Sequence, residues 1–207
     1  MPSQTGLDSA HIFSSKSYLG GKLALIIDNR NDESFPTRGV YWNTELIAAD
    51  GLNIKSNRFT KLNSDMTVYA SFRDPANLVI LLGLGGSRIY SKNFEFFQAA
   101  TIGAGTNLQG FRKNRSAGRA STYGSMELRL NLFEIKSYLL PGPFGLTAFY
   151  ESGRVWLKSE SSRKWHTAYG GGFYFTPLKI INIQATAGFS GNEKLFNFTI
   201  GSRINLN

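Results

Sequence analysis

The chain has 207 residues and a net charge of +9, with 22 Gly, 16 Phe, 9 Tyr, 3 Trp and 6 Pro, which suits one large domain or one barrel built from many short turns. It has no cysteine, which excludes disulfide scaffolds and thiolate metal sites. Its longest apolar run, "NLVILLGLGG", is far short of the roughly 20 residues a membrane-spanning helix needs, and "MPSQTGLDSA" lacks the basic start and apolar core of a secretory leader, so an exported form is expected to be the mature chain or a fragment of a longer one.

Period-two alternation predicts strands near 19–29, 39–49, 60–73, 77–88, 120–133, 145–157, 166–176, 180–190 and 196–206, with a weaker candidate at 8–17. In the first, Leu23, Leu25 and Ile27 oppose Lys22 and Asp28. In the second, Val40, Trp42 and Leu46 oppose Asn43 and Glu45. Further on, Met66, Val68, Ala70 and Phe72 oppose Asp65, Thr67, Tyr69 and Arg73. Met126, Leu128, Leu130 and Leu132 oppose Glu127, Arg129 and Asn131, and Ile181, Ile183, Ala185, Ala187 and Phe189 oppose Asn182, Gln184 and Thr186. The chain closes on "FNFTIGSRINLN", where Phe196, Phe198 and Ile200 alternate with Asn197, Thr199 and Arg203.

A soluble sandwich produces the same alternation with its apolar face inward. Two features favour the opposite assignment. Most candidate strands run ten residues or more, whereas soluble strands average about 5–6 and tilted membrane strands need about 9–11. Acids and bases also recur together on the polar faces, as in a closed, charge-paired lumen. The expected fold is therefore all-β: a transmembrane antiparallel up-and-down β-barrel of about 8–10 strands, since antiparallel closure favours an even number. Residues 1–18 form an N-terminal segment or extra strand and 19–207 the barrel domain, with a long loop over 91–119.

Connections alternate between tight, Pro-marked turns ("DNRNDESFPTRG", "RDPAN", "TPLK") and long basic loops; "EIKSYLLPGPFG" is an overlong member of the turn side. This asymmetry matches outer-membrane barrels, whose short turns are periplasmic. The bases collect on the long-loop side (Arg58, Lys61, Arg88, Arg112, Arg119, Lys194 among them), which suits lipopolysaccharide phosphates and equally suits ordinary solvated loops. Nucleic acid is disfavoured, because there is no basic helix and no stacking-aromatic signature. An enzyme is not expected. The only histidines are His11 and His166, Ser161 and Ser162 lie near the latter, and no G-x-S-x-G nucleophile signature occurs. The glycines of "GLGGS" and "GAGTNLQG" fit strands and loops rather than a phosphate cradle, and neither cofactor nor metal is expected.

Three stretches carry a resemblance. "DNRNDESFPTRG" (Asp28, Arg30, Pro36, Thr37, Gly39) resembles the D-x-R-(D/N)…P-T-x-G turn of the bacterial surface antigen barrels. These form the outer-membrane assembly superfamily of BamA/TamA-type insertases and two-partner secretion transporters. "GTNLQGFRKNR", with Leu108, Gln109, Gly110, Phe111 and Arg112, sits where that family has G-x-x-x-(V/L)-R-G-F in its sixth extracellular loop. "GLTAFYESGRVW" resembles its F-x-D-x-G-x-V-W strand.

The resemblance implies a bacterial outer-membrane location, a loop folded into the lumen, and acidic wall partners at Glu127 and Glu151. It also implies contact with outer-membrane lipids and lipopolysaccharide and, through protein or lipid insertion, with client outer-membrane proteins. Gln109 stands where the family has arginine, so the usual ion pair is replaced either by amide donation from Gln109 or by Arg112 reaching across. Family members usually have 16 strands behind periplasmic POTRA repeats; this chain resembles the C-terminal half alone, as in a short POTRA-less branch. A homodimer pooling strands and a structural or closed-pore barrel without insertase activity are the alternatives.

Overall fold

The computed structural model describes residues 16–53, 56–72, 76–91, 94–102, 108–111, 116–156, 165–191 and 193–202. Each apolar/polar alternation becomes a strand: β1 (Tyr18–Asp28), β2 (Gly39–Gly51), β3 (Phe59–Ser71) and β4 (Leu78–Ile89), then β7 (Ala120–Ile135), β8 (Gly142–Trp156), β9 (His166–Phe175), β10 (Ile181–Ser190) and β11 (Glu193–Ser202). These nine form one antiparallel meander in that order, with neighbours in sequence paired throughout. Two short strands inside the long loop, β5 (Ala100–Ile102) and β6 (Ser116–Gly118), pair only with each other.

The burial is inside out relative to a soluble protein. Phe196, Phe198 and Ile200 are 80%, 68% and 63% exposed. Leu23, Leu25, Leu82, Leu84, Leu132 and Phe173 are exposed with them, whereas Glu127, Glu151, Thr147, Thr186 and Gln184 are buried. A two-residue period makes this an all-or-none choice, because one step of register would put every charged side chain outside. The exposed face is the lipid face expected of a membrane barrel, and the polar face lines the lumen. Near the turn side Phe133, Phe144 and Phe173 stack across three strands with centroids 5.3 and 6.0 Å apart, in the manner of an aromatic girdle.

Strand bounds follow the alternation to within a few residues, and the exceptions have local causes. Between Asn131 and Phe133 the β7–β8 register shifts, a bulge that moves Phe133 onto the outer face and lets both strands run further toward "KSYLLP". β11 starts at Glu193, earlier than the pattern suggested, because Gly191 (φ +59°) permits a tight β10–β11 turn on the long-loop side. That connection departs from the expected alternation of short and long, as does the first pair, where the β1–β2 connection (29–38) is longer than the β2–β3 connection (52–58). The expected strand at 8–17 lies outside the described residues except for Lys16 and Ser17, which precede β1, and so does the end of the chain from Arg203 onward.

The meander curls around its polar face. Phe35, in the β1–β2 turn, packs on Tyr174 of β9 with centroids 4.8 Å apart, and the loop before β7 reaches Asn197 of β11. Among the described residues no ladder joins β1 to β11, so these are the two ends of the sheet.

Candidate functional site

The long loop drops into the lumen and fastens to its wall. Leu108 and Phe111, both 1% exposed, form a small apolar core with Ile102 and Ala168, flanked by Tyr123 and Val155. Between them the backbone presents two donors to one carboxylate. Gln109 N–H donates to Glu151 Oε1 at 2.8 Å and Gly110 N–H to Glu151 Oε2 at 2.9 Å. Gly110 is required by space: a Cβ there would stand 2.5 Å from the Ala168 Cβ and 3.2 Å from the Phe149 ring. On the far side, Asn197 of β11 donates to the Gln109 carbonyl at 2.6 Å.

Glu127 anchors the Gln109 side chain. The Gln109 amide donates to Glu127 Oε2 at 3.1 Å, while Arg129 Nε (2.8 Å) and Thr147 Oγ1 (3.1 Å) donate to Oε1. Both wall partners named from the sequence, Glu127 and Glu151, therefore meet the loop, and both meet Gln109. The compensating positive charge is on the wall: Arg129 sits two residues along β7 from Glu127, on the same face, with both side chains nearly buried. Amide donation from Gln109 is the arrangement found. Arg112, the alternative donor, lies outside the described residues.

The β1–β2 turn does more than reverse the chain. Arg30 grips Asp28 through Nε (2.8 Å) and Nη2 (2.6 Å) and lies over the Tyr41 ring. Bonding to the Asp28 carboxylate raises the Arg30 pKa above its ordinary value. The Asn31 side chain accepts from Thr37 N–H and Arg38 N–H and donates to the Thr37 hydroxyl. Pro36 is buried, and Gly39 has φ +115° with no room for a Cβ beside the Asn29 carbonyl. This bracing aims Phe35 inward, where the Arg129 guanidinium lies 4.6 Å from its ring centroid. The structure joins the turn through Phe35 and Arg129 to Glu127 and the loop.

Phe35, Thr147, Tyr174 and Asn197 were not singled out from the sequence as parts of this site. Arg129 and Asn197 were on polar faces, which marks a lumenal side chain without naming its partner. Ser161, Ser162 and His11 lie outside the described residues; His166 opens β9.

A curled antiparallel wall with lipid-type residues outside and a carboxylate-anchored loop inside defines a plugged membrane β-barrel. The chain belongs to the Omp85 superfamily, whose domain matches residues 14–204. Among solved structures it is similar to BamA from Haemophilus ducreyi lacking POTRA domains 1–3, with TM-score 0.66 and 14% identity over 86% of this chain. That likeness is one of fold, and the chain spans about 40% of the length of that structure. No curated protein matches it in sequence.

Proposed function

We propose that this barrel works in the bacterial outer membrane, where it eases the insertion or transfer of protein or lipid at a seam between β1 and β11. Its work on this reading is mechanical, not chemical. Outer-membrane lipids surround its exposed face and client barrel proteins are its transient partners. The observation that carries the proposal is strand parity. Among the described residues nine antiparallel strands leave β1 and β11 running in the same direction, so one added strand is antiparallel to both. An unpaired strand edge is a template for such addition, and a client strand would complete an even-numbered wall.

The test is direct. The chain is reconstituted in liposomes and the folding of a second barrel protein is timed, with a single cysteine at Ala24 to trap a client strand by disulfide exchange. Faster folding than in empty liposomes, with a β1-linked adduct, is expected. The second reading, a closed structural barrel, is favoured by the filled lumen around Leu108 and Phe111. It predicts no acceleration, no adduct and little conductance in planar bilayers.

A further inference from the structure

The long loop is fastened at two places, and these belong to opposite ends of the sheet. Residues 108–111 meet β7, β8, β9 and β11 through Glu127, Glu151, Ala168 and Asn197. Residues 94–99 meet the other end. Lys16, two residues before β1, forms an ion pair with Glu95, and both side chains are nearly buried. The rings of Phe97 and Tyr18, the first residue of β1, meet edge to face with centroids 6.1 Å apart. Lys61 of β3 donates to the Ala99 carbonyl at 3.0 Å.

The two fastenings are joined through packed structure. Glu95 N–H donates to Gln98 Oε1 at 2.9 Å, which braces the turn that carries the acid. Phe94 and Ala99 are buried against Ile89 of β4. β5 follows directly and ends at Ile102, which packs on Leu108 and Phe111. A continuous path of bonded and packed groups thus leads from Lys16 beside β1, through Glu95, Ile102 and Gln109, to Asn197 on β11. Coupling between distant groups is carried by contiguous networks of this kind.

We propose that the folded loop is a strap across the lumen that fixes the gap between β1 and β11, with the Lys16–Glu95 pair as its outer fastening. Packed interiors switch between discrete arrangements and do not stretch, so the gap holds its width while both fastenings hold. Removing one partner of a nearly buried ion pair strands the other charge, which drives residues 94–99 away from the β1 end. The strand ladders and the Arg129–Glu127 pair are untouched by that release. The strap therefore regulates access to the seam. This consequence rests on the client role proposed above, whereas the strap itself is a matter of distance.

The experiment is pulsed electron paramagnetic resonance on the full chain in liposomes. The chain has no cysteine, so Leu25→Cys on β1 and Phe198→Cys on β11, both outward and exposed, take spin labels specifically. The otherwise native chain should give one narrow distance. Lys16→Met and Glu95→Gln should each broaden it and lengthen it by about 5 Å, the width of one added strand. The exchanged pair, Lys16→Glu with Glu95→Lys, should restore the native distance. Lys22→Gln breaks an exposed ion pair between β1 and β2 and should change nothing. Should Lys16→Met fail to fold, Phe97→Ala removes only the ring contact with Tyr18 and should lengthen the distance part of the way. An unchanged distance in Glu95→Gln and Phe97→Ala, or equal lengthening in Lys22→Gln, overturns the strap. Client capture at the Ala24→Cys position, measured in parallel in a chain without the spin-label cysteines, should rise several-fold in Glu95→Gln. Lengthening without capture would sink the client role and leave the strap standing, and capture without lengthening would sink the strap.

Discussion

Replacing Glu151 by leucine tests the docked loop at its strongest point. The side chain is 2% exposed, and each of its oxygens accepts one backbone N–H, from Gln109 and from Gly110. Backbone donors cannot rotate away, so leucine leaves two buried N–H groups without acceptors. Each such group costs about 1–3 kcal/mol, giving about 2–6 kcal/mol until the loop lifts and water satisfies it. For a chain of this size that lowers the unfolding midpoint by on the order of 10 °C. The assay is heat-modifiable gel mobility in detergent, paired with limited proteolysis of the loop. Glu151→Gln keeps one acceptor oxygen and should lose about half as much. A midpoint within about 1 °C of the native chain, with the loop still protected, would refute the docking argument.

Arg129→Met should destabilise by about 3 kcal/mol or more, because it strands the nearly buried Glu127 charge; adding Glu127→Gln should recover part of the loss in the same melting assay. Gly39→Ala, at φ +115° with its Cβ set 2.5 Å from the Asn29 carbonyl, should lower stability by about 1–3 kcal/mol and slow folding into detergent, read by the appearance of the compact gel band. Phe35→Ala and Arg129→Met should be non-additive by about 0.5–1 kcal/mol in a double-mutant cycle, since ring and guanidinium stack; simple additivity would deny that the turn couples to the wall. Asn197→Ala removes a single hydrogen bond to the loop, worth about 0.5–1.5 kcal/mol, so it should lower the melting midpoint by about 1–6 °C while raising amide exchange along β11. Unchanged exchange would show that the loop does not hold the last strand.

Much of the wall was legible in the sequence because strand register is a binary choice. Once Met126, Leu128 and Leu130 face one way, Glu127 and Arg129 must face the other, and strand length then decides which side is lipid. Contacts across the lumen were less accessible. Nothing local to Phe35 tells that it meets Tyr174, because that pairing depends on how far the sheet curls, and curl is set by the summed twist of all its strands. The β7 bulge was hidden for a related reason: the run Leu132–Phe133 is apolar at both positions, so alternation carries no register signal there. The wall partners of the loop were found by resemblance together with face assignment. Arg129 was visible as a lumenal residue, but its role follows only from the Gln109 amide being a neutral donor to Glu127.

Gln109 explains why the site has the composition it does. A carboxylate beneath a loop needs charge compensation, and an amide donor supplies a hydrogen bond without it. In this chain the cation comes from Arg129 on the same strand face as Glu127, so the buried charge remains balanced within the wall when the loop lifts. Glu151 is matched instead by two backbone donors that belong to the loop itself, so loop departure exposes that carboxylate. The two acids are thus unequal: Glu127 is paired with Arg129 within the wall, and Glu151 is held by the loop's own backbone. Movement of the loop, if it accompanies opening at β11, must break the Glu151 and Asn197 contacts while leaving the Arg129–Glu127 pair intact. That division predicts which substitutions alter the wall and which alter only the plug.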